Sequence, residues 1–533
     1  MNKMLKSLLV AALTLSAAQV KADSASNTNR TFLMPRAQGV NAPLAWTTFG
    51  ELVDRDAKDK FGATFEATGF WQQSTNGSEQ GKYFLIKNKS TVALPTAASA
   101  AAATAVNAST ADFDYGYMIH SVTQGVAFAA VGDATVAANT GASLSLDPRQ
   151  EVWGLQLDYH QDLRKLVKGL YLHANLPVVN VENDPRLGVK EATAAAADTG
   201  KNLINFLNGS YSKSEATSAG HNHANTTRAM NNQVALANAK IGGKRSESGV
   251  ADIDVVLGYH FLNKPKYHAG LGVAVTIPTG NKADGAWLFQ PMVGNGQHFG
   301  LGGDFCAGAH VWSSGEQNLK LKLALKYRYL FENSQKRTLG LKNNNFGQYT
   351  LLVKSGRANI AADGTPDGLV PAANITTLNV DVTPGSQLDG VLGLTYNHGG
   401  FTIDAGYNMY FREAESVKIK DSFTDNQYAV ASRKFGTQFA ANAAGAAFTV
   451  GVDNVTEGGV AAGTAALISK ASLDTDAAST PSQFTNSIYG GAGYVFRKWD
   501  TPVALGLGAK YEWANKNSAL EQWGVWAKVG VGF

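Results

Sequence analysis

Apolar and polar residues alternate along several long segments of the chain, and this is the pattern of β-strands that have one apolar face. In residues 319–331 leucine, tyrosine or phenylalanine occupies every second position, and most of the residues between them are charged. A soluble sheet rarely exposes so long an apolar face, but a strand that is tilted across a membrane needs one. Residues 503–513 show the same alternation. The sequence therefore predicts strands with one lipid-facing side.

Twelve segments with this alternation predict an all-β fold, a transmembrane antiparallel β-barrel of about 12 strands. Their connections alternate between short turns and mostly long loops, as in barrels with short periplasmic turns and long extracellular loops. Because the count is even, both ends of the barrel wall are expected on the periplasmic side. The predicted strands are residues 60–72, 149–160, 169–181, 250–262, 266–278, 298–312, 317–332, 386–398, 400–413, 486–497, 501–515 and 520–533.

The N-terminal residues predict a signal peptide over residues 1–22. A basic start, MNKMLK, precedes the apolar SLLVAALTLSAA, and Val20 and Ala22 suit the −3 and −1 positions of a cleavage site. A cut after Ala18 is the second possibility. Residues 23–59 have no strand pattern, and they are expected either in the periplasm or inside the barrel as a small plug. Residues 60–533 are expected to form the outer-membrane barrel.

Composition narrows the class of protein further. Charged residues make up 17% of the 533 residues, below the roughly 25% of soluble domains. Outside the N-terminus no apolar run reaches the ~18 residues that a spanning helix needs, which excludes a helical membrane protein. The three lysines of the predicted signal peptide account for most of the net charge of +4, so nothing indicates nucleic acid as a partner. The single cysteine, Cys306, excludes an internal disulfide.

The C-terminal segment carries a family resemblance. From Trp523 to Phe533 the odd-numbered positions are all apolar, and the chain ends on Phe533. Together with the alternating strands and the signal peptide, this resembles porin-like bacterial outer-membrane β-barrel proteins, without pointing to one specific family. The resemblance implies a location in the bacterial outer membrane, contact with its lipid and with the barrel-assembly machinery, and recognition of the terminal strand through Phe533.

Two functions are consistent with this class. One is a porin-like channel that transports small solutes or ions, and the other is a closed structural or adhesive barrel at the cell surface whose long loops carry the function. Barrels of eight strands are filled by their own side chains, and barrels of sixteen strands enclose a water-filled channel. Twelve strands lie between these two, so the strand count does not distinguish an open channel from a closed barrel.

Charged residues on the inward faces are the candidate site. They are close to balance in sign, and they have two interpretations: cross-strand ion pairs that fill the lumen, or a lining that selects ions. The lumen candidates are Lys320, Lys322, Lys326, Arg328, Asp304, Asp389, Lys510 and Glu512.

Five inward histidines come from five consecutive strands, each within a few residues of a short turn. They indicate either polar packing or a pH-sensing belt, because imidazole titrates near pH 6.5. His260 and His268 flank Lys264 symmetrically and are expected opposite one another across the hairpin. The five are His160, His173, His260, His268 and His310.

Catalytic motifs are absent from the sequence. It contains no HExxH, no GxSxG and no phosphate-binding loop, and its glycine-rich stretches lie within predicted strands. We therefore expect no enzyme activity, no cofactor and no metal.

Overall fold

The computed structural model describes residues 28–47, 62–93, 143–190, 203–211, 234–264, 266–342, 346–354, 370–430, 467–497 and 501–533. The predicted signal peptide lies outside these residues. Among the described residues, no helix is long and apolar enough to cross a membrane.

Twelve long antiparallel strands of the described residues close into one barrel. Each strand pairs with its neighbours in sequence, and the first strand pairs with the last, with Glu66 opposite Gly530. All twelve predicted strands are confirmed, with shifts of a few residues at their ends. The strands are β1 Ala63–Ser74, β2 Arg149–Asp162, β3 Leu170–Asp184, β4 Ile253–Lys264, β5 Tyr267–Ile277, β6 Gly300–Ser314, β7 Gln317–Leu330, β8 Gly385–His398, β9 Phe401–Arg412, β10 Gln483–Phe496, β11 Val503–Ala514 and β12 Gln522–Gly532.

An apolar belt covers the outer face of the barrel wall. Leu507 and Val273 are 67% and 62% exposed, and aromatic rings such as Trp153 and Phe401 lie near the two rims. Exposed apolar surface of this extent is unfavourable in water, whereas a lipid bilayer covers it. A closed barrel also leaves no unpaired strand edge, which a bilayer requires. The barrel is therefore embedded in a bacterial outer membrane.

Short turns join the strands at one end of the barrel. The β6–β7 turn contains Gly315 and the β8–β9 turn contains Gly399, with φ of 56° and 60°. Tight hairpins need this left-handed backbone, which glycine adopts without strain.

The long loops at the opposite end fold into a cap. The cap contains helix Gly77–Phe84, helix Ala372–Thr376, and the 3-10 helices Gly347–Tyr349 and Lys470–Ser472. Its short strands are Thr91–Ala93, Ser143–Ser145, Gly188–Lys190, Arg245–Val250, Asn333–Thr338, Gly340–Leu341, Leu351–Lys354, Val370–Pro371, Thr377–Thr383, Ser416–Ile419, Tyr428–Val430 and Leu473–Asp474.

Two apolar clusters hold the cap together. One includes Phe84, Phe206 and Tyr349, and the other includes Val380 and Leu473, all of them buried. The first cluster joins loops that are more than a hundred residues apart, so the loops that meet in it form one body over the barrel mouth.

Residues 28–47, here called the inner segment, run from the cap into the lumen. At the cap, the backbone N–H groups of Arg30 and Thr31 donate to the carbonyl oxygens of Tyr83 and Ala477 at 3.1 and 2.8 Å. Further along, helix Ala42–Trp46 lies inside the barrel against β8. The inner segment thus occupies the lumen from its capped end inwards.

The barrel lumen as the candidate functional site

The eight lumen candidates lie on the side of the wall opposite the apolar belt. Five of them are buried and three are half-buried. Lys326 stands in register between Asp304 on β6 and Asp389 on β8. The buried five are Lys322, Arg328, Asp389, Lys510 and Glu512, and the half-buried three are Lys320, Lys326 and Asp304.

Arg36 of the inner segment binds two of these candidates at once. Its Nη2 is 2.9 Å from Asp389 Oδ1, and its Nη1 is 3.1 Å from Glu512 Oε1. The guanidinium also lies 4.6 Å from the centre of the Tyr410 ring. Burial would lower the pKa of Arg36, but the two carboxylates raise it above its usual value. Arg36 therefore links the inner segment to three strands of the wall.

A second cation of the wall binds the end of the inner helix. Lys528 Nζ lies 2.7 Å from the carbonyl oxygens of Leu44 and Thr47, and 3.1 Å from Glu66 Oε2. Carbonyl groups at a helix C-terminus carry partial negative charge and lack partners within the helix, so a cation is favourable there. Lys528 thereby fixes the inner helix to β12.

The other ion pairs belong to the wall itself. Arg328 binds both Asp254 and Asp304. Lys510 Nζ lies 3.3 Å from Glu512 Oε2. Cross-strand pairing is thus present in the lumen. The role of these residues in ion selection stays a prediction.

Above the lumen, a buried triad joins the wall to the cap. Glu415 accepts hydrogen bonds from Arg337 Nη1, at 2.6 Å, and from Arg412. Arg412 also donates to the carbonyl oxygen of Met34, and Arg337 lies 3.6 Å from the centre of the Phe32 ring. Burial would raise the pKa of Glu415, but the two arginines hold it at about 2. The triad therefore clamps the outer part of the inner segment.

Sequence reasoning missed Arg36, Arg337 and Glu415. The last two lie in loops whose folding no local pattern indicates. Arg36 left a weak signal, because it is the only charged residue between Thr31 and Thr47. A lone charge in an otherwise uncharged segment that can enter a lumen lined by charged residues points to a buried ion pair.

A small cavity remains beside the inner segment. It has room for about three water molecules. Three carboxylates and two cations line it, together with Gly39 and Val40 of the inner segment. The charged lining residues are Asp252, Asp254, Asp389, Lys326 and Arg328.

Four of the five predicted histidines lie near one another towards the short turns. His160 pairs in register with His173, and the Tyr171 ring stacks on His160 and His260 at centroid distances of 5.5 and 4.5 Å. His268 lies 6.0 Å from His260. The fifth, His310, is exposed near the end of β6. The pH-sensing role stays a prediction.

The expected symmetric placement of His260 and His268 is wrong. The β4–β5 register shifts between Tyr259 and Leu262, so His268 lies opposite Asn263. A bulge inserts an extra residue into one strand, and sequence symmetry about the turn does not reveal it. Among the described residues, no group of three or more His, Cys, Asp or Glu side chains could hold a metal ion.

No family model and no curated protein matches the chain. Among solved structures, the chain is similar to an outer-membrane channel from Pseudomonas putida F1, with 11% identity, coverage of 89% of this chain and 96% of that one, and a TM-score of 0.36. The β domain of the Bordetella autotransporter BrkA covers 89% and 100% at 8% identity, with a TM-score of 0.29. A Pseudomonas aeruginosa FadL homologue covers 96% and 98% at 8% identity, with a TM-score of 0.28.

What assigns the class is the chain's own architecture, with twelve antiparallel strands closed on themselves, an apolar belt outside and charged groups inside. The chain is a bacterial outer-membrane β-barrel protein.

Proposed function

We propose that the barrel is a gated, porin-like channel for small solutes or ions, and that the inner segment is its gate. One observation carries this proposal. Arg36 holds the inner segment in the lumen through charged groups of the wall, with Asp389 on one side and Glu512 on the other. A cavity with a charged lining lies directly beside that contact.

The chemistry of these contacts favours reversible opening. Water that enters an open lumen would solvate Arg36, Asp389 and Glu512, which regains the solvation energy that burial removed. Few apolar side chains of the inner segment pack against the wall, mainly Ala42 and Leu44. Release of residues 36–47 from the lumen therefore exchanges polar contacts for hydration and loses little apolar burial, while Phe32, Leu33 and Met34 stay buried in the cap.

Single-channel recording of the refolded protein in a planar bilayer tests the gate. We expect Arg36→Ala to raise the open probability about tenfold, because it removes a doubly paired buried cation. Arg36→Lys keeps the charge but lacks the planar fork that binds Asp389 and Glu512 at once, so its open probability should fall between those of Arg36→Ala and the native protein. Arg164→Ala is the matched control, since Arg164 pairs with Asp162 beside a short turn.

Folding of every variant is checked by the shift of the barrel band on heating before electrophoresis. If folded Arg36→Ala conducts no more than the native protein, the inner segment is a permanent filling of the lumen and the gate does not exist.

The second candidate is a closed structural or adhesive surface barrel. The extent of the cap favours it, because two apolar clusters hold loops from distant parts of the chain together over the barrel mouth. A barrel of this kind stays non-conducting in all the variants above.

Both candidate functions require the same orientation of the barrel in the membrane. We propose that residues 1–22 are removed on export, that the barrel-assembly machinery reads the terminal strand, and that the cap faces the cell surface. An epitope tag after Asp425, in an exposed turn of the cap, should bind antibody on intact cells, whereas a tag after Gly315 should not. If antibody binds only the tag after Gly315, the short turns face the cell surface and the proposed orientation is wrong.

A further inference from the structure

The cavity beside the inner segment leaves two of its five charged groups without an ionic partner. Arg328 is bound by Asp254 and Asp304, and Asp389 is bound by Arg36. Among charged lining residues, this leaves the ammonium of Lys326 and the carboxylate of Asp252.

Lys326 makes no hydrogen bond or ion pair with any residue of the described chain, and it acts on Asp254 only at longer range. An ammonium group in this position can bind an anion that enters the cavity. Lys326 stands in register between Asp304 and Asp389 on the neighbouring strands. Its position on the wall is therefore fixed, while its ammonium group contacts neither carboxylate directly.

Asp252 supplies the opposite charge in its ionised form. The residue is 5% exposed, and neither carboxylate oxygen accepts a well-directed hydrogen bond within the described residues. Burial raises the pKa of Asp252 to about 7, although backbone N–H groups of Asn295, Thr279 and Gly280 favour the ionised form. Its backbone has an unusual positive φ of 24°, and strain of this kind persists where the surrounding structure imposes it.

We infer that this cavity binds a small zwitterion of amino-acid size, whose carboxylate meets Lys326 and whose ammonium meets Asp252. The inference deepens the proposed function, on which it rests, by naming the class of solute. The size of the cavity excludes bulky ligands, and its two unmatched charges of opposite sign disfavour a ligand with only one charge, because the other group would stay buried and unpaired.

Equilibrium dialysis of refolded protein in detergent with radiolabelled L-alanine tests the inference. Propionate and ethylammonium are the matched competitors, since each keeps one of the two charges. We expect saturable binding of L-alanine, competition at least about tenfold weaker by either single-charge probe, and an affinity loss of about tenfold or more in Lys326→Met and in Asp252→Asn.

Lys336→Met and Asp184→Asn are the matched controls, because both residues lie outside the cavity lining; both should bind as the native protein does. Absence of saturable binding by folded protein would overturn the inference. Equal binding of propionate that is insensitive to Asp252→Asn would also overturn it and would indicate a simple anion site.

Dialysis needs no ion flow, so its outcome is independent of the gating experiment. Binding without conduction in any variant would contradict the channel and leave the zwitterion site standing. Conduction without saturable binding of L-alanine would support the channel and contradict the zwitterion site.

Discussion

The wall and the lumen of this barrel are specified in different ways. On the wall, each outward residue meets lipid or its neighbours on adjacent strands, so alternation along one strand is enough to place Leu505 and Leu507 outside. In the lumen, Arg36 meets Asp389 and Glu512, which are more than 350 residues away in the chain. The wall is therefore a local property of the sequence, and the lumen is a long-range one.

The largest effect is expected where the wall closes. The backbone N–H of Phe533 donates to the carbonyl oxygen of Ala63 at 2.8 Å, and Ala63 returns the bond. We predict that Phe533→Asp lowers the amount of folded barrel in outer membranes about tenfold, because Phe533 belongs to the proposed assembly signal and lies at the end of the strand that closes the sheet. Heat-modifiable mobility on gels measures the folded fraction.

Phe401→Asp is the matched control for that change. Phe401 is 43% exposed and Phe533 is 47% exposed, and both lie in the belt at the short-turn end. A charge near the bilayer interface costs only about 0–1 kcal/mol, so Phe401→Asp should fold nearly normally. Equal losses in both variants would mean that lipid contact, and not the terminal strand, sets assembly.

This contrast also explains which parts of the structure could be predicted from the sequence. Period-two alternation predicted all twelve strands, because a lipid-facing wall imposes it on every strand. It also placed Lys510 and Glu512 inside, but it did not show that Arg36 binds Glu512, since loop closure over hundreds of residues has no local pattern. The bulge after Tyr259 was equally hidden, because one extra residue changes the register without changing the composition.

The next effect concerns the cap. We predict that Glu415→Gln destabilises the cap by about 3–5 kcal/mol, because Arg337 and Arg412 are then left as buried cations without their anion. Limited proteolysis of the cap measures this, with the barrel band unchanged. Asp381→Asn is the control, since its pair with the half-exposed Lys420 lies at the surface and contributes little.

The pH dependence of the cap follows from the same residue. The pKa of Glu415 is about 2 in the folded protein, below its ordinary value of 4.5, so its contribution is present above pH 4.5 and is lost as the pH falls towards 2. Pepsin should therefore cut the native cap faster at pH 2 than at pH 4. If Glu415→Gln shows the same difference in cleavage rate between pH 2 and pH 4 as the native protein, the pH dependence arises from other groups.

A smaller effect is expected on ion selectivity. Acids and bases nearly balance in the lumen, so the open channel, studied in the Arg36→Ala background, should be only weakly selective. Adding Lys326→Glu should shift the reversal potential in a salt gradient towards cations, because Lys326 lines the cavity without an ion pair. Lys264→Glu, near an exposed turn, should leave the potential in place. If both change it equally, selectivity arises at the rim.

The smallest effect is expected from the histidines. The rings of His260 and His268 are 6.0 Å apart, and two unit charges at that distance repel by about 3 kcal/mol at an effective dielectric constant of 20. Two positive charges on this pair are therefore unfavourable. Tyr171 stacks on His260, and Asp158 lies 3.4 Å from His173 Nε2.

We therefore predict a modest change in conductance or cation selectivity between about pH 7.5 and 5.5, the range in which imidazole titrates. The change should shrink in the double variant His260→Gln and His268→Gln, because glutamine keeps polarity and approximate size but cannot charge. His398→Gln, in an exposed position beside a short turn, is the control and should respond as the native channel does. A response of equal size in the double variant and the native channel would show that this pair is not the sensor. The pair would then be part of the long-range packing of the lumen, like the ion pairs around Arg36.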